Sequence, residues 1–212
     1  VYDSNPLIEN CNFTNNSAVE GGGMMLLASS PQLIDCSFIN NSGYGGGINC
    51  NFLSSPTFTN CMIISNSGGG MLNLGSSPTL TNCTFENNTC YEEEGGGGMG
   101  NYNNSSPMLA NCTFTGNTAY YGGGMYNNSS SPTPTNCTFE NNTADNGGGG
   151  MLNADNSSPT LIAAVKHISE PTRPERNSYA VFCLKKKNIF LYLTLIHISE
   201  PPNPLPHSST YP

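Results

Sequence analysis

The sequence predicts an all-β protein that folds as a parallel β-helix, a solenoid of about six coils of ~25 residues each, followed by an irregular non-repeat tail. The first supporting observation is a repeat: six times, a proline is followed five residues later by a cysteine and six residues after that by a serine or threonine. The second is an alternation of apolar and polar residues, which is typical of strands with one buried face. A repeat of fixed phase indicates an array of stacked units rather than one central core.

Each unit combines stretches of constant length with one loop of variable length. The proline and cysteine pairs are Pro6/Cys11, Pro31/Cys36, Pro56/Cys61, Pro78/Cys83, Pro107/Cys112 and Pro132/Cys137. The blocks close at Ser17, Ser42, Ser67, Thr89, Thr118 and Thr143. An apolar marker follows 4 to 10 residues later, at Met24, Ile48, Met71, Met99, Met125 and Met151. Because the variable loop has the same place in every unit, all the loops are expected at one edge of the solenoid.

Three short strands are expected in each unit. Leu80, Cys83 and Phe85 alternate with polar residues, apart from a slip near Asn82 that indicates a bend between the first two strands. A third strand starts near the apolar marker, as in Gly-Gly-Gly-Met-Tyr-Asn at residues 122–127. Frequent Gly, Asn, Ser and Pro exclude a helical period. Three strands per unit, stacked unit upon unit, form a parallel β-helix.

Side chains of the same phase are expected to touch, because stacked coils lie about 4.8 Å apart. The phased cysteines would form a column beside an internal apolar column of Phe13, Phe38, Ile63, Phe85, Phe114 and Phe139. Asparagine amides can satisfy turn groups and bond to one another along a column. One such column is predicted at Asn16, Asn41, Asn66, Asn88, Asn117 and Asn142. A second is predicted at Asn73, Asn101, Asn127 and Asn153, with Leu26 and Cys50 in its place in the first two coils. The glycine runs suit tight corners or positive φ.

Nine cysteines are present, of which Cys50, Cys90 and Cys183 lie outside the repeat phase. Side chains of in-register parallel strands point the same way, so we expect the phased thiols to be reduced rather than paired as disulfides. Zinc binding is not expected, since residues 1–162 contain no Cys-x-x-Cys pair and no histidine.

Residues 163–212 differ in character from the repeats. All six Lys and Arg residues and all three histidines lie after residue 165, whereas residues 1–162 carry eleven carboxylates and no basic side chain. A seventh unit starts at Pro159, but Ala164 stands where its cysteine is due. The stretch His167–Pro174, whose first five residues recur at His197–Pro201, resembles translated sequencing-adapter read-through. We therefore predict a β-helix repeat domain at 1–162 and a non-native tail at 163–212, with a genuine irregular terminus as the alternative.

The charge distribution excludes some function classes. Nucleic acid binding is not expected, because no basic side chain in the repeats can neutralise phosphates. Lyase chemistry needs a strong base, usually Arg or Lys, so the absence of both from residues 1–162 counts against a lyase. Hydrolysis needs two carboxylates across a cleft, for which Glu20, Asp145, Asp155 and the run Glu92–Glu94 are candidates. We predict that this segment is not an enzyme and needs no cofactor. The alternative is the non-catalytic part of a polysaccharide lyase or glycoside hydrolase.

Three consecutive glutamates in the fourth variable loop are candidate calcium ligands. Glu92, Glu93 and Glu94 offer oxygen ligands, and they are the candidate calcium residues. No Asp-x-Asp-x-Asp-Gly loop or Gly-Gly-x-Gly-x-Asp repeat accompanies them. A solvated loop tip is the alternative interpretation.

The variable loops carry the candidate ligand-binding residues. Exposed tyrosine offers a flat apolar face and a hydroxyl group. The candidates on the loop edge are Tyr44, Tyr91, Tyr120 and Tyr121. We predict that this edge binds carbohydrate or a cell-surface receptor. Alternatively, the tyrosines only cover the loop edge. Tyr102 and Tyr126 belong to other phases and are expected to pack on the surface.

The Phe-x-x-Asn element, as in Phe85/Asn88, is paired with a Gly-Gly-x-apolar element over residues 1 to about 162. This combination resembles the repeat of the chlamydial polymorphic outer-membrane proteins. The resemblance implies a right-handed β-helix that serves as an adhesin or autotransporter passenger. It also implies an extracellular or bacterial outer-membrane location. The second element here is Gly-Gly-Gly-Met rather than Gly-Gly-Ala-Ile. Val1 falls in mid-repeat and no signal peptide precedes it, so we expect a fragment of a longer protein, attached to a membrane only through missing flanking regions.

Overall fold

The computed structural model describes residues 3–91 and 95–162 and shows a parallel β-solenoid of six coils. Strands of one repeat phase pair in parallel with their counterparts in the neighbouring coils. Phe85, for example, lies between Ile63 and Phe114 in register. The all-β parallel β-helix with a spacing of ~25 residues is therefore confirmed.

Three six-stranded sheets form the walls of the solenoid. The proline sheet follows the repeated prolines and contains Leu7–Glu9, Gln32–Ile34, Thr57–Thr59, Thr79–Thr81, Met108–Ala110 and Thr133–Thr135. The phenylalanine sheet contains Asn12–Thr14, Ser37–Ile39, Met62–Ile64, Thr84–Glu86, Thr113–Thr115 and Thr138–Glu140. The methionine sheet contains Met24–Leu27, Ile48–Asn51, Met71–Leu74, Met99–Tyr102, Met125–Asn128 and Met151–Ala154.

The expectation of three strands per unit was wrong for five of the six coils, which contain a fourth short strand. These strands are Ser17–Glu20, Ser42–Tyr44, Thr89–Cys90, Thr118–Ala119 and Thr143–Ala144. They begin at the Ser or Thr that closes each block. The extra pairing arises because the chain continues parallel to the next coil before the variable loop departs. Strands of two to four residues are too short to show an alternating pattern in the sequence.

The predicted apolar column fills the core. Phe38, Ile63, Phe85 and Phe114 are fully buried. The Phe13 and Phe38 rings are stacked with centroids 4.7 Å apart, and so are those of Phe114 and Phe139. Stacking at the coil spacing lets each ring remove its faces from water against the rings above and below, which is the main stabilising contribution available here.

The predicted asparagine column is also confirmed. In Asn66, the backbone N and Nδ2 both donate to Oδ1 of Asn88, at 3.0 and 2.9 Å. Nδ2 of Asn66 also donates to the carbonyl oxygen of Phe38 at 3.0 Å. The same pattern joins Asn41, Asn117 and their neighbours. Each inner amide of this column thus bonds to the preceding coil and to the following one.

The predicted positive φ in the glycine runs is confirmed at Gly21, Gly45, Gly68, Gly69, Gly122 and Gly147. Most of the other corner residues with positive φ are asparagine or aspartate. At the bend between the first two strands, φ is 52–55° at Asn10, Asp35, Asn60, Asn82, Asn111 and Asn136. These residues tolerate the left-handed region better than other side chains do. Several glycines serve close approach instead: a Cβ on Gly23 would lie 2.5 Å from the carbonyl oxygen of Gly47 in the next coil.

Two further polar ladders link the coils. The second predicted amide column is confirmed, with Nδ2 of Asn73 donating to Oδ1 of Asn101 at 2.8 Å and Asn101 repeating this bond to Asn127. The other ladder was not predicted. It is a buried row of serines at the corner after the methionine sheet, in which the backbone N of Ser29 donates to Oγ of Ser54 and the backbone N of Ser54 donates to Oγ of Ser76, both at 3.1 Å.

The phased cysteines form the expected apolar column. Cys11 is half-buried, and its partners along the column are buried. All are free thiols, whose Sγ atoms lie against main-chain carbonyls, as Cys83 Sγ does against the Thr81 oxygen at 3.4 Å. Outside this column, burial raises the pKa of the Cys50 thiol. These positions contribute packing and weak hydrogen bonds to the core.

Candidate functional site

The loop edge is divided into two parts by the third coil. Ser17–Glu20 pairs with Ser42–Tyr44, and the strands of the fourth, fifth and sixth coils form a separate ladder. Between them, Ser67 makes only single bridges to Ser42 and Thr89. The third coil has the shortest variable loop in the sequence, so its chain turns towards Met71 before a strand can form. The predicted tyrosines therefore lie on two separate surfaces.

Tyr44 lies on the first of these surfaces. Its strand pairs with Ser17–Glu20, and the register places Tyr44 opposite Glu20. The two residues line an open groove of about 480 Å³, together with Val19, Gly43, Ser67 and Gly68. The groove brings one predicted tyrosine and one candidate carboxylate together, apart from the other tyrosines of the loop edge.

The second surface holds a group of four tyrosines in mutual contact, which we call the tyrosine cluster: Tyr102, Tyr120, Tyr121 and Tyr126. The rings of Tyr120 and Tyr121 meet edge to face, with centroids 4.6 Å apart. Tyr121 is stacked on Tyr126 with centroids 5.6 Å apart, and Tyr126 meets Tyr102 edge to face at 5.5 Å. Two predicted site residues are thus joined to two that were assigned to other phases.

The methionine sheet explains how Tyr126 reaches the cluster. Its neighbours Met125 and Asn127 point into the core, so strand alternation turns Tyr126 outwards. The glycine-rich loop that starts at Gly122 folds back over this face, and Tyr126 keeps only 8% of its surface exposed. Tyr102 lies in the preceding coil and also faces outwards. The cluster therefore runs from the loop edge onto the outer face of the methionine sheet.

Tyr91 follows Cys90, which pairs with Ala119, so Tyr91 holds the same place in its coil as Tyr120 in the next. Its side chain is 70% exposed, whereas Tyr120 and Tyr121 are half-buried. The calcium candidates Glu92, Glu93 and Glu94, which come next in the chain, lie outside the described residues.

Polar groups border the tyrosine cluster. Nδ2 of Asn128 donates to Oδ2 of Asp155 at 2.8 Å and lies 3.4 Å from the hydroxyl oxygen of Tyr126. At the other end, the backbone N of Asn146 donates to the carbonyl oxygen of Tyr120 at 2.8 Å, and the backbone N of Asp145 donates to that of Ala119 at 3.1 Å. The arrangement combines aromatic faces with amide and carboxylate groups at the rim.

Within residues 3–91 and 95–162, no three His, Cys, Asp or Glu side chains are grouped in a way that would hold a metal ion. In the same ranges there is no helix with the length and apolar character that crossing a membrane requires.

Comparison with known families identifies the repeat. The family model described as the right handed beta helix region matches residues 1–85 and 54–166. The chain belongs to the right-handed β-helix family. No curated protein matches the sequence. Right-handed β-helix domains occur in both enzymes and non-enzymes. Family membership therefore shows the fold, whereas function depends on the side chains at the surface.

Proposed function

We propose that this right-handed β-helix is a non-catalytic segment of a secreted or surface-displayed protein and that it binds carbohydrate through the tyrosine cluster. The observation that carries the proposal is the continuous contact of Tyr120, Tyr121, Tyr126 and Tyr102 across two coils. Isolated tyrosines on a loop edge need no explanation, whereas a connected aromatic surface with polar neighbours has the composition of a recognition site.

The chemistry of the cluster suits a sugar ring. A pyranose has an apolar face of C–H groups and a rim of hydroxyls, so it needs a flat aromatic partner and hydrogen-bonding groups beside it. Tyr120 and Tyr121 supply half-exposed rings. Asn128 and Asp155 supply an amide and a carboxylate next to Tyr126. The mutual packing of the rings limits their motion, which lowers the entropic cost of ordering them on binding.

The repeat resemblance supports a role in adhesion or display. The Phe-x-x-Asn and Gly-Gly-x-apolar elements are similar to those of chlamydial polymorphic outer-membrane proteins, whose passengers act at the cell surface. We therefore propose an extracellular or bacterial outer-surface location, with carbohydrate on a cell surface as the partner. The acidic, Asn-rich and Ser-rich composition of residues 1–162 suits a solvent-exposed extracellular array.

The test is binding of the full 212-residue chain to immobilised oligosaccharides, comparing wild type with the double variant Tyr120→Ala/Tyr121→Ala. We expect at least tenfold weaker binding, since tyrosine is enriched among the interface residues whose loss costs more than about 1 kcal/mol each. The variant Tyr120→Phe/Tyr121→Phe keeps the ring faces and should retain most of the affinity.

Tyr44→Ala provides the matched control, because it removes a tyrosine of the loop edge that lies on the other surface, in the groove with Glu20. Its binding should match that of the wild type. Equal binding by the Tyr120→Ala/Tyr121→Ala variant and the wild type would refute the proposal. Loss of binding accompanied by a large fall in melting temperature would assign the two rings a structural role instead.

A further inference from the structure

We infer that the carbohydrate recognised by the tyrosine cluster carries free amino groups, as in a polymer of unacetylated amino sugars. This inference rests on the proposed function and names its ligand class. Asp145 and Asp155 lie at the two ends of the cluster, and the surrounding coils carry acidic side chains and no basic ones.

The charge of the repeats is of one sign. Residues 1–162 contain eleven Asp and Glu residues and no Lys, Arg or His. A surface of this composition repels uronate and sulfated glycans, and it attracts cationic ones. A neutral glycan would gain no binding affinity from this charge. The overall negative charge favours a cationic ligand anywhere on the repeats. Carboxylates close to the tyrosine cluster are needed to favour one at this site.

Asp155 is held at the Tyr126 end. Its Oδ2 accepts a hydrogen bond from Nδ2 of Asn128, and the same nitrogen lies near the Tyr126 hydroxyl. Asp155 is exposed, so its carboxylate remains accessible to a ligand. The bond from Asn128 holds the carboxylate at the rim of the cluster, near the hydroxyl end of Tyr126, where an ammonium group of a bound ligand would meet it.

Asp145 lies at the Tyr120 end. Ala144 pairs with Ala119, so the residue that follows each of them, Asp145 and Tyr120, stands at the same rung in adjacent coils. Adjacent coils are separated by about 4.8 Å. Asp145 is exposed. The cluster therefore has a carboxylate at each end of the path Tyr120–Tyr121–Tyr126.

An ammonium group on the ligand would interact with both the tyrosine rings and the neighbouring carboxylates. It is attracted to the face of a tyrosine ring by a cation–π interaction and to a neighbouring carboxylate by charge. Acetylation of the amine removes the positive charge and with it both attractions, while leaving the sugar ring and its hydroxyls unchanged. The acetylated and unacetylated forms of one oligosaccharide are thus a matched pair of ligands.

The experiment measures binding of the full chain to hexamers of β-1,4-linked glucosamine and of β-1,4-linked N-acetylglucosamine. We expect the free amine form to bind about threefold to tenfold more tightly, the range that two exposed ion pairs supply. The preference should shrink at high salt. It should also be lost in Asp145→Asn/Asp155→Asn, in which the amide of residue 155 can still accept the bond from Asn128.

The control is Glu9→Gln/Glu140→Gln, which removes the same charge at exposed positions on the proline and phenylalanine sheets. It should keep the preference. An equal loss in the control variant would overturn the inference, because general attraction to an acidic protein would explain the data. Equal or tighter binding of the acetylated hexamer would also overturn it while leaving the proposed function intact. Failure of both hexamers to bind wild type, with no binding to other oligosaccharides, would instead overturn the proposed function.

Discussion

Asn88 donates two hydrogen bonds to a single oxygen of Asn117, from its backbone N at 3.0 Å and from Nδ2 at 2.9 Å. Nδ2 also donates to the carbonyl oxygen of Ile63 at 2.9 Å. Three coils are thus joined by one fully buried side chain. A side chain in this position stabilises the solenoid by satisfying groups that water cannot reach.

We predict that Asn88→Ala destabilises the protein by about 2–5 kcal/mol. The substitution leaves the Ile63 carbonyl without its amide donor and removes the acceptor of the backbone N and Nδ2 of Asn66. Each unsatisfied buried group costs about 1–3 kcal/mol. Urea unfolding followed by circular dichroism measures the change. Asn87→Gly is the control, since Asn87 is exposed with φ of 53° and glycine accepts that conformation. A loss of less than about 1 kcal/mol in Asn88→Ala would contradict the assigned role.

Gly98→Ala is predicted to destabilise the fold by at least 1–3 kcal/mol, about the cost of overpacking a core. A Cβ at Gly98 would lie 2.6 Å from the carbonyl oxygen of Gly124 and 2.7 Å from Cδ1 of Phe114. Thermal unfolding gives the measurement. Gly75→Asn should be near neutral, because Gly75 has φ of 59° and the nearest heavy atom to its Cβ position is 3.7 Å away. Similar melting temperatures for the two variants would show that the coils do not approach so closely.

The turn at Phe52 and Leu53 should become more stable when its residues are exchanged for those of the fourth coil. Both residues have positive φ, 53° and 59°, and their side chains are 67% and 84% exposed. Asn103 and Asn104 occupy the equivalent turn with φ of 56° and 64°. We expect Phe52→Asn/Leu53→Asn to raise the unfolding free energy by about 1–2 kcal/mol, since bulky residues are strained in this region.

The reciprocal exchange tests the same cause. Asn103→Phe/Asn104→Leu should lower the unfolding free energy by a similar amount, as measured by urea unfolding of both variants. If the two exchanges change stability in the same direction, the strain of the left-handed turn is not the cause.

Stability should fall at alkaline pH because of Cys50. Burial raises the pKa of its thiol above the value of 9.0 that it has in the unfolded chain. Above that pH the unfolded chain loses the proton while the folded one keeps it, so the unfolding free energy falls as pH rises. The contribution is full below pH 9.0 and decreases by about 1.4 kcal/mol per pH unit above it. Urea unfolding under reducing conditions, from neutral to alkaline pH, should show a shallower decrease in Cys50→Ala. Identical slopes would contradict the assignment.

The solenoid and its internal columns were predictable because identical residues recur at fixed spacing. Side chains at the same position of successive repeats stack on one another, as Phe85 does on Phe114 and Asn88 on Asn117. The serine ladder follows the same logic, and the serine that precedes each Ser-Pro pair would have revealed it. The fourth strand was missed because two residues such as Thr89–Cys90 carry no pattern of their own.

The tyrosine cluster could be predicted only in part. Tyr120 and Tyr121 were found because they lie in a variable loop. Their contact with Tyr126 depends on the path by which that loop returns over the methionine sheet, and repeat spacing contains no information on that path. Tyr102 and Tyr126 also occupy different positions in their strands, so stacking in register does not bring them together. Contacts between phases are set by side-chain direction rather than by period.

The buried ladders all have one polarity: Asn66 donates to Asn88, Ser54 to Ser76 and Asn73 to Asn101, always from the earlier coil to the later one. Within each of these ladders, the same bond therefore repeats from one junction to the next, with the donor in the earlier coil and the side-chain acceptor in the later one. Tandem duplication of a DNA segment that encodes one coil would insert a unit whose two faces already match its new neighbours. Such a protein can change its length during evolution without inventing a new contact.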